Sequence, residues 1–400
     1  MKKRVVSLGL AAMMAMSMTA CGGSGNASTS ESAAEDAQGA EGADGEVFKI
    51  GGIGPITGAA GAYGAAVKNG TELAINEINE AGGINGYQVA FNFQDDENDP
   101  EKAINAYNTL KDWGMQVLMG TVTTTPCVAV ADKTAQDNMF EVTPSASSTD
   151  VIAGDNVFQV CFTDPNQGTK SAQYIGEHSL ATKVAVLYDS SADYNSGIND
   201  AFVAAAEENG LEIVADEAYT ADSNTDFSVQ LKKIKDSGAE LLFLPNYYAD
   251  NALILQQAHD AGMDDVKKFG VDGMDGILGV ENFDTSLAEG VMLLTPFSAT
   301  SEDEKSQAFV KAYEDANKDE VPNQFAADTY DVIYAMKAAA DAAEITPDMS
   351  NEDISAAMSE AMLSVELDGL TGKAKWTEDG ECDKEPKAFE IQDGAYVEME

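Results

Sequence analysis

Gly86-Tyr87-Gln88-Val89-Ala90-Phe91-Asn92-Phe93-Gln94-Asp95-Asp96-Glu97-Asn98-Asp99-Pro100 holds the unit from which the body of this chain is built. Val89, Phe91 and Phe93 alternate with polar or small neighbours, which marks a strand with one buried face. Asp99-Pro100 then reads as an N-cap and a first helical residue; Ile104, Tyr107 and Lys111 mark the helix face, and Gly114 stops it. The interval from Gly86 to Gly114 has the same length as that from Gly210 to Gly238, and both enclose strand, acidic loop, helix and stop.

Outward from that unit the same grammar continues. Phe48 to Gly51 starts a strand that feeds a Gly-rich turn, and Val67, Thr71, Ala74 and Ile78 space a helix ended by Gly82-Gly83. Further strands are predicted over 115–119, 139–143, 184–188, 211–215 and 240–244, and helices from Thr125-Pro126 and over 196–208, 227–235 and 249–261. The fold class is α/β: two Rossmann-like lobes, each a parallel sheet with helices on both faces. In such sheets ligands sit where the strands' carboxyl ends open into loops, so the site belongs in the cleft between the lobes.

Composition narrows the function. The 400 residues include 23 basic and 69 acidic side chains, for a formal net charge of −46. That excludes a chain built to hold nucleic acid or an anionic membrane surface, because both require clustered cations. A hydrophobic content of 44% suits a packed core, and the length suits two domains. With only His178 and His259 present, zinc hydrolases and His-based acid–base enzymes are disfavoured. Neither a metal site nor a cofactor is expected.

At the N-terminus, residues 1–20 read as a signal peptide: Lys2, Lys3 and Arg4 precede an apolar run ending in Met18-Thr19-Ala20-Cys21. That ending looks like a bacterial lipobox with Cys21 as the lipidated residue; an ordinary signal peptide with a spectator cysteine is the alternative. Residues 21–45 are Gly-, Ser-, Ala- and acid-rich and read as a flexible tether. Of Cys127, Cys161 and Cys382, an exported chain can pair two, and spacing does not choose between the pairings.

Several catalytic motifs are absent. Gly51 to Gly58 has the spacing GxGxxxG without an acidic ribose partner, and neither GxxxxGK[ST] nor GxSxG occurs. Asp95 to Asp99 has Pro100 and Ala106 where a calcium loop needs Gly and Glu, so it reads as a solvated acidic loop. More informative are two hydroxyl runs, Thr121 to Thr125 and Thr143 to Ser148, each following a strand. Singly they read as helix capping and a polar turn. Together, with a helix N-terminus between them, they point to an anion pocket.

Gly54-Pro55-Ile56-Thr57-Gly58, Tyr63-Gly64, Ala74 to Asn79 with Ala81 to Gly86, Asp95-Asp96, Gly120, Thr143 to Ala146, Tyr194, Asn246-Tyr247 and Gln256 with Ala258 occur in that order. From about Glu46 onward the chain resembles the periplasmic leucine/isoleucine/valine-binding proteins, type I solute receptors of ABC importers. The resemblance implies a three-segment hinge near Cys161 to Thr163, Leu294 to Pro296 and Ala374 to Thr377. Lobe 1 is then 46–162 plus 297–375, and lobe 2 is 163–296 plus 376–400. It also implies that Thr124 and Ser147 bind a ligand α-carboxylate, while the Ser145 carbonyl and Asp272 hold its ammonium. Tyr63, Tyr194 and Tyr247 become cleft tyrosines, and Val122 and Phe325 walls of the side-chain pocket. Asp272 stands where these receptors commonly have Glu, and a pocket disulfide of enteric members is missing, its positions falling at Asn98 and Thr123.

The residues agree with that chemistry, since a buried zwitterion needs donors at one end and an acid at the other. For each aromatic the alternative is core packing, and for Asp272 it is capping of the Gly273 turn. The expected protein is a monomeric, lipid-anchored receptor on the outer face of the cytoplasmic membrane that captures an amino acid and presents it to an ABC permease. A receptor of this fold for an amide, urea or other small organic solute, a non-transport sensor, and an enzyme on the same architecture are the competitors.

Overall fold

The computed structural model describes residues 46–318 and 320–399; the signal segment, Cys21 and the tether lie outside the described residues. The first run is β1 (Phe48–Gly54), α1 (Gly61–Glu80), β2 (Val89–Asp95), α2 (Pro100–Trp113), β3 (Val117–Thr121), α3 (Thr124–Asp137), β4 (Phe140–Thr143) and β5 (Val157–Gln159). The second is α4 (Asp164–Glu177), β6 (Lys183–Asp189), α5 (Asp193–Ala206), β7 (Glu212–Tyr219), α6 (Ser228–Ser237), β8 (Leu241–Leu244), α7 (Tyr248–Asp260), β9 (Lys267–Gly270) and β10 (Met292–Thr295). Then come α8 (Glu304–Ala316), α9 (Gln324–Ala342), α10 (Asn351–Met362), β11 (Glu366–Gly369), β12 (Gly372–Lys375), β13 (Lys387–Gln392) and β14 (Ala395–Glu398). No helix among the described residues is long and apolar enough to cross a membrane.

The strands form two sheets with matching cores. The first has the order β2-β1-β3-β4-β5 and is parallel throughout. The second contains β7-β6-β8-β9-β10, the same order, again parallel. In both, the order reverses between the first and third strands of the run, so the loops after β1, β3, β6 and β8 flank switch points where a ligand fits. Beyond β10 the second sheet departs from the parallel expectation. β13 and β14 add antiparallel, joined by the two-residue turn Asp393-Gly394 with φ of 50° and 75°, the positive-φ geometry that closes a tight hairpin.

The chain passes three times between the sheets. It leaves β5 for α4, leaves β10 for α8, and after β12 runs beside β5 before entering β13. On that last pass Gln159 N donates to Gly380 O at 3.1 Å and Trp376 Nε1 donates to Gln159 O at 2.8 Å. Lys384, 5% exposed, lies beyond this segment. Its ammonium sits 3.5 Å from Asp328 Oδ1 of α9 and donates to Thr371 Oγ1, while Asp331 accepts from Leu370 N and from Thr371 N and Oγ1.

The repeating unit forms as its residues dictate. Asp99 Oδ1 accepts from Glu101 N and Lys102 N, both at 2.9 Å, ahead of Pro100. Gly114 and Gly238 end α2 and α6 at φ of 84° and 73°. Asp99→Ala should cost about 1 kcal/mol, the usual loss of an N-cap, read as a lower urea midpoint. The preceding acidic loop is not uniformly solvated. Asp95 takes Ile56 N and Thr57 Oγ1, while Asp96 is fully buried, and burial pushes its carboxyl up to about 7. The Asp95 carboxylate and Asp96 N, which donates to Gly54 O at 3.3 Å, tie the loop to the end of β1 and the turn after it. Cys127, Cys161 and Cys382 are buried free thiols.

Candidate functional site

The site grows from the switch points. A Cβ on Gly54, the last residue of β1, would stand 2.4 Å from Val122 Cγ2, so only glycine lets Val122 settle there, 1% exposed. Val122 and Thr123 lead from β3 into α3. Thr123 is the N-cap, yet its side chain caps nothing, and its buried Oγ1 has no hydrogen-bond partner. The head of α3 is thus left uncapped by its own N-cap side chain, with Thr124 N turned to the Tyr247 hydroxyl, and a helix N-terminus of this kind suits an anion. In the second hydroxyl run, Thr143 Oγ1 donates to Thr121 O at 2.8 Å and accepts from Ala146 N at 3.0 Å, while Ser145 Oγ donates to Val122 O at 2.6 Å. Ser147 N donates to Thr124 Oγ1 at 3.2 Å, which locks the two loops together, and Ser147 Oγ is left without a partner.

The other lobe contributes Asp272, two residues past β9 and buried. Its Oδ1 accepts from Tyr194 OH at 2.6 Å, and that hydroxyl accepts from Gly273 N at 2.9 Å. Burial pushes the Asp272 carboxyl up to about 6, against the pull of these partners. Tyr63 of α1 spans the cleft: its hydroxyl donates to Gly273 O and accepts from Tyr248 N at 3.1 Å. Ala62 N to Tyr248 OH at 3.1 Å and Thr125 Oγ1 to Asp193 Oδ2 at 3.0 Å also join the lobes. Tyr247 stacks on Tyr194 at 4.8 Å and meets Tyr63 edge-on at 5.3 Å, and Phe325 lies 4.3 Å from Tyr63.

Tyr63, Val122, Ser145, Tyr194, Tyr247, Asp272 and Phe325 thus line one cavity, joined by Thr123 and Gly273. It measures about 10 Å³, the room of a single water-sized sphere. Thr124 and Ser147 are buried but do not reach its walls. Beyond Tyr247 lies a wider cavity of about 340 Å³, whose lining includes Asn98, Thr125, Asp189, Asn195 and Asp250. Sequence reasoning placed Thr123 in a hydroxyl run and at a position of the missing pocket disulfide but did not name it as a site residue, and it passed over Asp164 and Gln167 at the start of α4. Thr163-Asp164-Pro165 reads as a capping signal and hides them. Among the described residues no group of three His, Cys, Asp or Glu side chains is arranged to hold a metal.

Two lobes of matching topology, closed over a small cavity with an acid on one side and an unpartnered hydroxyl at a helix N-terminus on the other, define a solute-binding receptor. The chain belongs to the periplasmic binding protein family, whose sequence profile matches residues 47–395. It is 32% identical over 341 residues to Leu/Ile/Val-binding protein homolog 3 of Brucella melitensis, covering 84% of this chain and 88% of that protein. Among solved structures it is similar to the branched-chain amino acid transporter substrate binding protein LivJ of Streptococcus pneumoniae in complex with isoleucine. That likeness has a TM-score of 0.79 and 27% identity, covering 88% of this chain and 100% of that one. A Rhodopseudomonas palustris solute binding protein in complex with benzoate shares the fold at a TM-score of 0.77 and 20% identity, covering 88% and 95% of the two chains.

Proposed function

We propose that the protein captures an amino acid, branched-chain or otherwise aliphatic, in the cleft between its lobes and delivers it to an ABC importer. One observation carries the reading. Asp272 faces, across a single cavity, the unpartnered Thr123 hydroxyl at the uncapped head of α3. An ammonium at the first and a carboxylate at the second satisfy both ends of a zwitterion. The names of the Leu/Ile/Val-binding relatives support the same class. In this reading Tyr63, Val122, Thr124, Ser145, Ser147, Tyr194, Tyr247 and Phe325 serve the ligand beside Asp272, no bond is made or broken, and a lipid on Cys21 holds a monomer at the membrane's outer face for its permease. Because the inner cavity is too narrow for an amino acid, the lobes part to admit ligand and reclose over it.

Thermal unfolding against free amino acids, amides, urea and benzoate tests the class. Ligand at a hundred times its Kd stabilises by about 2.7 kcal/mol, so leucine, isoleucine or valine should raise the midpoint. A shift with benzoate or uncharged amides alone would replace the amino acid with another solute.

A further inference from the structure

A buried hydrogen bond joins the lobes through two residues that do not line the inner cavity. Asp275, 3% exposed, follows β9 in the second lobe; Gln324, 1% exposed, opens α9, which packs on α1, β3 and β4 of the first. Asp275 Oδ2 accepts from Gln324 N at 2.8 Å. The side chain of Asn323, the N-cap of α9, is spent on Ala326 N at 3.3 Å, so the Gln324 donor at the head of that helix finds its acceptor across the lobe boundary. Gly276 N and the Tyr396 hydroxyl of β14 face the same carboxyl from its own lobe. The Gln324 carboxamide reaches the second lobe as well: Nε2 donates to Asp272 O at 3.3 Å, and Oε1 accepts from Thr295 Oγ1 at the end of β10, where the chain crosses. Each partner is coupled to a cavity wall, since Asp275 N donates to Asp272 O at 2.9 Å and Gln324 directly precedes Phe325. By contrast, the Ala62–Tyr248 bond between the lobes is only partly buried and the Thr125–Asp193 bond is exposed.

Asp272 and Phe325 wall the cavity from different lobes, so a rotation that widens it enough for an amino acid also draws Asp275 away from Gln324. We propose that the Asp275–Gln324 bond is a latch, made only when the lobes close, that holds them shut over the bound amino acid without touching it. This rests on the amino-acid reading of the cleft and on its opening to admit ligand. In the open form water serves both groups, so the bond adds nothing to the stability of the free protein. On closure both leave water and must satisfy each other, and a closed form that lacks one partner strands the other. The latch therefore lengthens the stay of the ligand rather than speeding its capture, and Asp275 and Gln324 are positioning residues.

Stopped-flow binding of L-leucine to the wild type, Asp275→Ala, Gln324→Pro and the double variant tests this, together with urea unfolding of each ligand-free protein. Proline suits the first position of a helix and lacks only the N–H at issue on the backbone, so it removes the latch from the other side. Asp275→Ala should lose about five- to a hundredfold in affinity, the cost of a stranded buried donor. The loss should lie in the dissociation rate, with the association rate within about threefold of the wild type. The ligand-free urea midpoint of Asp275→Ala should be unchanged, which a residue that merely supports the fold would not allow. The double variant should bind no more weakly than Gln324→Pro alone, because the donor that alanine strands is already gone. Either single variant suffices if the other does not fold. An unchanged affinity in Asp275→Ala, a loss carried by the association rate, or a ligand-free midpoint that falls in step with the affinity overturns the latch while leaving a wild type that binds leucine as an amino-acid receptor. A wild type that binds no amino acid overturns that reading and this one with it.

Discussion

Asp272→Asn should weaken amino-acid binding by about 2–5 kcal/mol, the cost of removing one partner of a buried, hydrogen-bonded charge pair. On the affinity scale that is roughly thirtyfold to several-thousandfold. The variant keeps the shape of the side chain and an oxygen for Tyr194 OH, so the fold should survive and the loss should appear in Kd alone. The same residue sets the pH dependence. Burial raises the Asp272 carboxyl to about 6, and an ammonium pairs only with its ionised form. Affinity should therefore be level above pH 6 and fall as pH drops through that value, because a proton then competes with the ligand. In Asp272→Asn this low-pH limb should be gone. Titrations between pH 4.5 and 8, roughly the window that brackets such a shifted carboxyl, would show it. An unchanged Kd in the variant at neutral pH would mean that the ligand has no cationic end at this site.

Lys384→Met should destabilise the fold by about 3–5 kcal/mol, the effect of breaking a buried pair and stranding its acid. Lys384 is the buried base among the described residues, and it faces Asp328 and Asp331, both buried. Burial drags its ammonium down, but the two acids outweigh this and hold it charged. Methionine leaves Asp328 with no counter-charge and Thr371 without the donor it now accepts from. Urea unfolding should show the midpoint fall by this amount. Adding Asp328→Leu should recover much of the loss, since a well-packed apolar pair replaces a buried ionic one at little cost. A Lys384→Met protein as stable as the wild type would mean that this pair does not hold the third crossing in place.

Much of the fold was legible because its signals are local. The Asp99-Pro100 cap and the Gly114 and Gly238 stops need only neighbouring residues, and helices and strands fall where those punctuation marks put them. The C-terminal third was less readable. α9 is buried on most of its faces, so its sequence lacks the one-sided stripe that reveals a surface helix. The antiparallel β13–β14 hairpin did carry a signal in Asp393-Gly394, but short strands with mixed burial do not alternate cleanly. At the site, residues at strand ends stood out because hydroxyls and glycines cluster there. Asp164 and Gln167 did not, because an acid at the start of a helix looks like a cap, and only packing shows that it caps nothing. The burial of Asp96 was hidden for the same reason: a run of acids reads as solvated until a neighbouring turn folds over it.

Calorimetric titration with L-leucine, 4-methylpentanoate and 3-methylbutylamine tests the central claim most directly, because the three share a side chain and differ only in their charged ends. Binding of leucine, with the acid and the amine each weaker by at least about a hundredfold, as expected when a buried charge is left unpaired, is the predicted result. The acid alone binding as tightly as leucine would contradict the claim, since Asp272 would then have no ammonium to hold.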